Sequence, residues 1–100
     1  MALVFQLTEG EDFYINHDQV VVRNIVSPIE FVLLRTRDGA VIRVREGKAV
    51  EIFEGVFVSV GARSRGQADA ARVSIEAPRT VLLLRGENYR RSPPAIPVKP

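Results

Sequence analysis

The residues best suited to chemistry gather toward the C-terminal end. In Arg72-Val-Ser-Ile-Glu-Ala-Pro-Arg-Thr-Val-Leu-Leu-Leu-Arg-Gly-Glu-Asn-Tyr-Arg-Arg91, two short apolar runs flank Ala77-Pro78, and the second leads into Arg85, Glu87 and Tyr89. An Arg that closes a strand just before a polar helical turn can grip a phosphate or a base edge, because its planar fork makes paired hydrogen bonds and stacks. The competing use of Arg85 is to cap that turn or to pair with Glu87. Glu9, Glu11 and Asp12 cluster beside Gly10 as acid–base carboxylates would. Nothing near them supplies a nucleophile or an oxyanion site, so a solvated turn is the expectation. His17 is the only His and there is no Cys. No enzyme activity, metal, cofactor or small-molecule substrate is expected.

The totals narrow the class further. One hundred residues support one modest core or two small interlocked units. Val and Ile lead the apolar fraction, and β-branched side chains fit a pleated surface. Without Cys the chain suits a reducing compartment. No apolar run approaches the roughly 20 residues that span a bilayer, and a basic then apolar leader is not evident. The expectation is a cytoplasmic protein without membrane contact. The formal charge of +2 hides an asymmetry: residues 1–38 hold three Arg against six acids, about −3, and residues 39–100 hold eleven Lys or Arg against six acids, about +5. Such a split suits a polyanion contact on the second part; ordinary surface charge is the plainer account.

Short strand signals recur along the chain: Leu3-Val4-Phe5, Phe13-Tyr14-Ile15, Val20–Val22 with Ile25-Val26, and Phe31–Leu34. Asp38-Gly39 predicts a tight hairpin into Ala40–Arg45. There Val41, Arg43 and Arg45 share one face, and Ala40, Ile42 and Val44 the other. Val56, Val58 and Val60 alternate with Phe57, Ser59 and Gly61, then come Val73 and Ile75, then Val81–Leu84. No helical stripe precedes Arg85, and Glu87–Arg91 allows one helical turn at most. The fold class is all-β: small antiparallel sheets in a barrel-like sandwich, a short C-terminal helical turn and an extended Pro-rich tail.

Residues 61–71 read as a long polar loop carrying Arg63 and Arg65 beside Gly66, able to reach a phosphate backbone or simply to be solvated. The tail 92–100 holds four Pro, which lack the ladder donor, so it should be extended and held by a partner surface or neighbouring subunit. An internal echo links the halves. Gly10 lies five residues before Ile15 and Gly47 five before Ile52, and Val20 and Val22 answer Val56 and Val58. The chain thus reads as one and a half copies of a small five-stranded unit: a partial three-stranded repeat at 1–39, a full unit at 40–91, and the tail at 92–100.

Residues 40–91 resemble a complete member of the carbon storage regulator (Csr/Rsm) family of bacterial translational regulators. Val41-Ile42, Gly47, Ile52, the alternating Val56–Val60, Arg72-Val73-Ser74-Ile75, Ala77-Pro78 and Val81 carry the likeness, and Arg85, Glu87 and Tyr89 close it. Residues 2–35 resemble the first three strands of the same unit, with Gly10-Glu11 in the family's Gly-Glu position. The resemblance implies five-stranded chains that interlock as homodimers, each giving outer strands to its partner's sheet. It implies binding of messenger RNA at GGA motifs in hairpin loops, along the first strand of one subunit and the last strand of the other. On that basis the RNA-binding residues are Ile42, Arg43 and Arg45 from the first strand, with Arg79, Val81, Leu83, Leu84 and Arg85 at the last. The four guanidinium groups are expected to line adjoining edges.

Departures from the family pattern are plain. Leu84 stands where the family usually has His, and Gly86 where it usually has an acid. The loop at 62–71 is longer by roughly four residues. Phe5-Gln6-Leu7-Thr8 lacks basic residues, and the first copy lacks a last strand. Two equivalent RNA sites therefore cannot come from one chain. The chain could be a pseudo-dimer with one degraded site, or could keep the fold for protein–protein contacts. The expected function is an RNA-binding post-transcriptional regulator, oligomeric or part of a larger assembly. The alternative is a non-enzymatic structural subunit, for example of a virion.

Overall fold

Period-two alternation buries one face of strands such as Ala40–Arg45 and Ala70–Glu76, and two such faces close on each other. The computed structural model describes residues 2–27, 29–61 and 70–91. In chain order the strands are β1 (Ala2–Thr8), β2 (Asp12–Ile15), β3 (Asp18–Ser27), β4 (Glu30–Arg35), β5 (Ala40–Arg45), β6 (Val50–Phe53), β7 (Val56–Val60), β8 (Ala70–Glu76) and β9 (Leu83–Arg85), followed by helix α1 (Gly86–Arg91). They form a four-stranded sheet, β1-β8-β7-β6, and a five-stranded sheet, β5-β4-β3-β2-β9. Every strand pair is antiparallel. The protein is an all-β sandwich, and the described strands do not close into a barrel.

The order of the strands crosses the chain's midpoint twice. β1 leaves its sequence neighbours and pairs along its whole length with β8, from Ala2↔Glu76 to Thr8↔Ala70. β9 returns to pair with β2, Phe13 opposite Arg85. Each sheet is thus closed at an outer edge by strands from the other half of the chain. The core is correspondingly shared: Leu7, Phe13, Val20, Phe31 and Leu33 pack with Ile52, Val58, Val73, Ile75 and Leu83 in one cluster.

Local expectations meet two corrections. The hairpin at Asp38-Gly39 has four residues between its paired ends, Arg35 and Ala40, and of its residues Gly39 takes a positive φ, of 73°. Asp38 instead folds back to accept from the Ala40 amide at 3.1 Å, which sets the turn without a left-handed Asp. Val81 and Leu82 precede β9 rather than belong to it. Asn16, at φ 56°, exchanges hydrogen bonds with the Leu82 main chain at 2.8 and 3.0 Å instead. β5 alternates as expected, Val41, Arg43 and Arg45 exposed and Val44 buried. Arg63, Arg65, Gly66 and the tail 92–100 lie outside the described residues.

Candidate nucleic-acid interface

The expected groove of four guanidinium groups does not form. β5 and β9 occupy opposite edges of one five-stranded sheet, with β4, β3 and β2 between them. Ile42, Arg43 and Arg45 are therefore far from Leu83, Leu84 and Arg85. The reason is the chain exchange: the strand that meets β9 across the sandwich is β1, from the first segment. Arg43 and Arg45 are also engaged, both with Glu30, at 2.9 and 3.4 Å. Ile42 is half-buried against the core, and Arg79 is exposed on the turn before β9. Leu83 is buried among core side chains, so its side chain is closed to a ligand. Leu84 lies opposite Tyr14, and Val81 packs against the core.

What the fold does assemble is a seam between β1 and β9. Among the described residues each has a ladder on one side alone, β1 with β8 and β9 with β2. Phe5 of β1 and Phe13 of β2 meet beneath the seam, ring centroids 5.9 Å apart and tilted by 43°. Across the top, Arg85 donates from Nη2 to the Gln6 carbonyl at 3.3 Å. Its Nε lies 3.8 Å from Glu87, and 36% of its side chain is exposed, so the guanidinium is neither buried nor fully committed. Gln6 draws in a second cation: its register partner Arg72 donates from Nη1 to Oε1 at 3.2 Å. Arg72 belongs to the motif that pointed to this region, yet its role was not read. Its position opposite Gln6 depends on the β1–β8 pairing, between strands more than sixty residues apart in sequence.

A cleft of about 150 Å³ opens beside Arg85, between Leu7, Gly10, Glu11 and Arg90. Glu11 accepts from the Thr8 amide and hydroxyl at 2.7 and 2.9 Å, and these bonds hold its carboxyl below the usual range. Asp12 is 7% exposed and accepts from Gln19 at 2.7 Å and from both terminal nitrogens of Arg90. Burial pushes its carboxyl up, but the bonds from Arg90 and Gln19 outweigh burial and the net shift is downward. Glu11 and Asp12 are thus both held by hydrogen bonds beside the seam, whereas Glu9 accepts from the Ile25 amide of β3 at 3.4 Å.

Gly86 has a steric reason. A Cβ there would stand 1.8 Å from Asp12 Oδ1. The glycine lets α1 start directly over the Asp12 carboxylate.

A larger cleft, about 410 Å³, lies at the other end of β9, lined by Asn16, Asp18, Arg35, Arg37, Phe53 and Val81 among others. Arg35 and Arg37 both sit over the Phe53 ring, 5.4 Å from its centroid. Arg35 is paired with Asp38 at 2.7 Å and also donates to the Ile52 carbonyl on β6. With Asp18, Asp38 and Glu54 nearby, these cations are balanced, and the cleft has no excess positive charge for a polyanion.

Among the described residues no group of three or more metal-ligating side chains is present, and no helix is long and apolar enough to cross a membrane. No family model matches the chain, and no curated protein or solved structure matches it either.

Proposed function

We propose that the protein is a non-catalytic RNA-binding regulator that takes a single-stranded loop along the β1–β9 seam, with Arg85 as its anchor. The observation that carries this reading is the Arg85 bond to Gln6, which joins two strand edges at a half-buried guanidinium. Unstacked bases of a loop are read by edge hydrogen bonds and held by cations. Arg72 adds a second cation at the same glutamine.

The resemblance to the carbon storage regulators gains weight from topology. Interlocked dimers of that family exchange outer strands between subunits, and here, with the chain divided into units 1–39 and 40–91, β1, β5 and β9 each lie in the other unit's sheet. Gly10 and Gly47, at matching places after β1 and β5, both take positive φ, 91° and 83°. In this pseudo-dimer reading the β1–β9 seam is the composite site. The edge of β5 is a half-site that keeps its Arg residues but, among the described residues, has no last strand beside it.

The test is a titration of the protein with a GGA-loop RNA hairpin at two salt concentrations. Submicromolar, salt-dependent binding that Arg85→Ala weakens at least tenfold supports the proposal. No binding, or affinity indifferent to the loop sequence, ends it.

A second reading, an architectural subunit, is favoured by the outer edges of β5 and β6, which have no strand partner among the described residues, and by Val41, 56% exposed on β5. An open edge recruits other chains by strand addition. Large oligomers at micromolar concentration, without RNA affinity, would support it instead.

A further inference from the structure

We infer that the C-terminal tail, residues 92–100, folds back over the outer face of its own five-stranded sheet and covers the apolar row Val41, Leu34 and Val21. The row lies on the strands beyond β2, away from the β1–β9 seam.

Alternation sets that face. Phe31 and Leu33, Val20 and Val22, and Phe13 and Ile15 are buried in the core, so Leu34, Val21 and Asp12 point outward with Val41. These four are direct cross-strand partners: Val41↔Leu34, Leu34↔Val21 and Val21↔Asp12. Val41 is 56% exposed, while Leu34 and Val21 are half-buried. At the Asp12 end of the row α1 already covers the sheet. Arg90 bonds Asp12, and Tyr89 stacks on Tyr14 with ring centroids 3.7 Å apart. The Tyr89 hydroxyl also lies 2.6 Å from His17 Nδ1. This ring cluster and the ion pair clamp the helix to β2, so the chain leaves α1, after Arg91, on the face that the apolar row crosses.

Length and composition identify the occupant. β5 lies three strand spacings from β2, roughly 14 Å. The nine residues of the tail, in an extended Pro-rich conformation, reach about 28 Å. They carry Ala95, Ile96 and Val98 between Pro93, Pro94, Pro97 and Pro100. Pro has no donor for a ladder, which bars such a segment from adding to a sheet edge as a strand. Its apolar side chains can still lie against a sheet face. The outer face of the four-stranded sheet suits it less. Phe57 is exposed there, but its direct partners are Glu51 and Glu76, and that face is on the far side of the sandwich from α1.

The chain has no Cys, so paired cysteines test this cleanly. A disulfide requires Cα atoms within about 7 Å. In the full chain Val41→Cys is combined with Ile96→Cys or with Val98→Cys, and Phe57→Cys with each of them as the control. Under mild oxidation one of the Val41 pairs should close within a monomer at least tenfold faster than its Phe57 control. Equal rates, or no closure from Val41, overturn the proposal. Disulfide-linked dimers in place of closed monomers give the face to the tail of a second copy, and overturn it as well. The unaltered chain supplies a second readout, nuclear Overhauser contacts from the Ile96 or Val98 methyls to those of Val21, Leu34 or Val41. Their presence supports the seat, and their absence overturns it whatever the cysteine variants do.

Discussion

Arg90 grips the Asp12 carboxylate with both terminal nitrogens, at 2.8 and 3.2 Å, across 78 positions of sequence. This pair fastens α1 to β2, and β2 carries β9 as its neighbour. The strand that ends in Arg85 is only three residues long. Its position therefore depends on what holds the helix after it.

Gly86→Ala should destabilise the protein although Ala is the better helix former by roughly 1 kcal/mol. The new methyl would meet Asp12 Oδ1 at 1.8 Å and Cγ at 2.4 Å. Moving Asp12 breaks its bonds to Arg90 and Gln19. Overpacking of this kind costs about 1–3 kcal/mol, or roughly 4–8 °C of melting temperature per kcal/mol at this chain length. Thermal melting of both proteins decides it; an unchanged or raised midpoint contradicts the account.

Stability should fall in acid partly through Asp12. Its carboxyl is held below the ordinary value of 3.8. A depressed acid contributes stability that is fully present above its unfolded value and is lost as pH falls through its folded value. Asp12→Asn removes that contribution. The variant should be less stable than wild type at pH 7, and the gap should shrink once the pH is well below 3.8. Urea unfolding of both proteins at several pH values gives the comparison, and a gap independent of pH would rule out the linkage.

Arg85→Ala and Arg43→Ala should differ in RNA binding. The first removes the cation at the seam. The second removes one that is paired with Glu30 at the far edge. Arg85→Ala should lower affinity tenfold or more and flatten the salt dependence by about 0.7 in log–log slope, the value for one phosphate contact on single strands. Arg43→Ala should change affinity by less than about threefold, since exposed ion pairs contribute little. Equal effects from the two would mean that the seam is not the site.

Arg35→Ala should make the protein both less stable and more prone to self-association. The side chain holds Asp38, lies over Phe53 and donates to the Ile52 carbonyl of β6, an outer strand. An outer strand stripped of such cover is a template for pairing with another chain. Sedimentation velocity over a range of concentrations would detect the change. A strictly monomeric variant would show that Arg35 does not guard that edge.

Much of the local structure was legible. The exposed and buried faces of β5 follow from the period of two. β6 was harder to read. Glu51 interrupts its apolar run, and the register shifts between Glu51 and Phe53, so Val50–Phe53 offers no clean alternation. In the candidate site Arg85 was visible as the end of a strand. Arg72, Gln6 and the ring cluster were not, because each owes its place to a partner more than sixty positions away.

By itself the sequence determined an all-β chain, the faces of its strands and the short helix after Arg85, since these depend on side-chain alternation and local backbone preference. Only the tertiary structure decided which edges meet. β1 pairs with β8 and β5 lies across the sheet from β9, and in that arrangement apolar faces from both halves of the chain are buried in one shared core. Pairings between distant segments are set by that collective burial, and no local pattern encodes them.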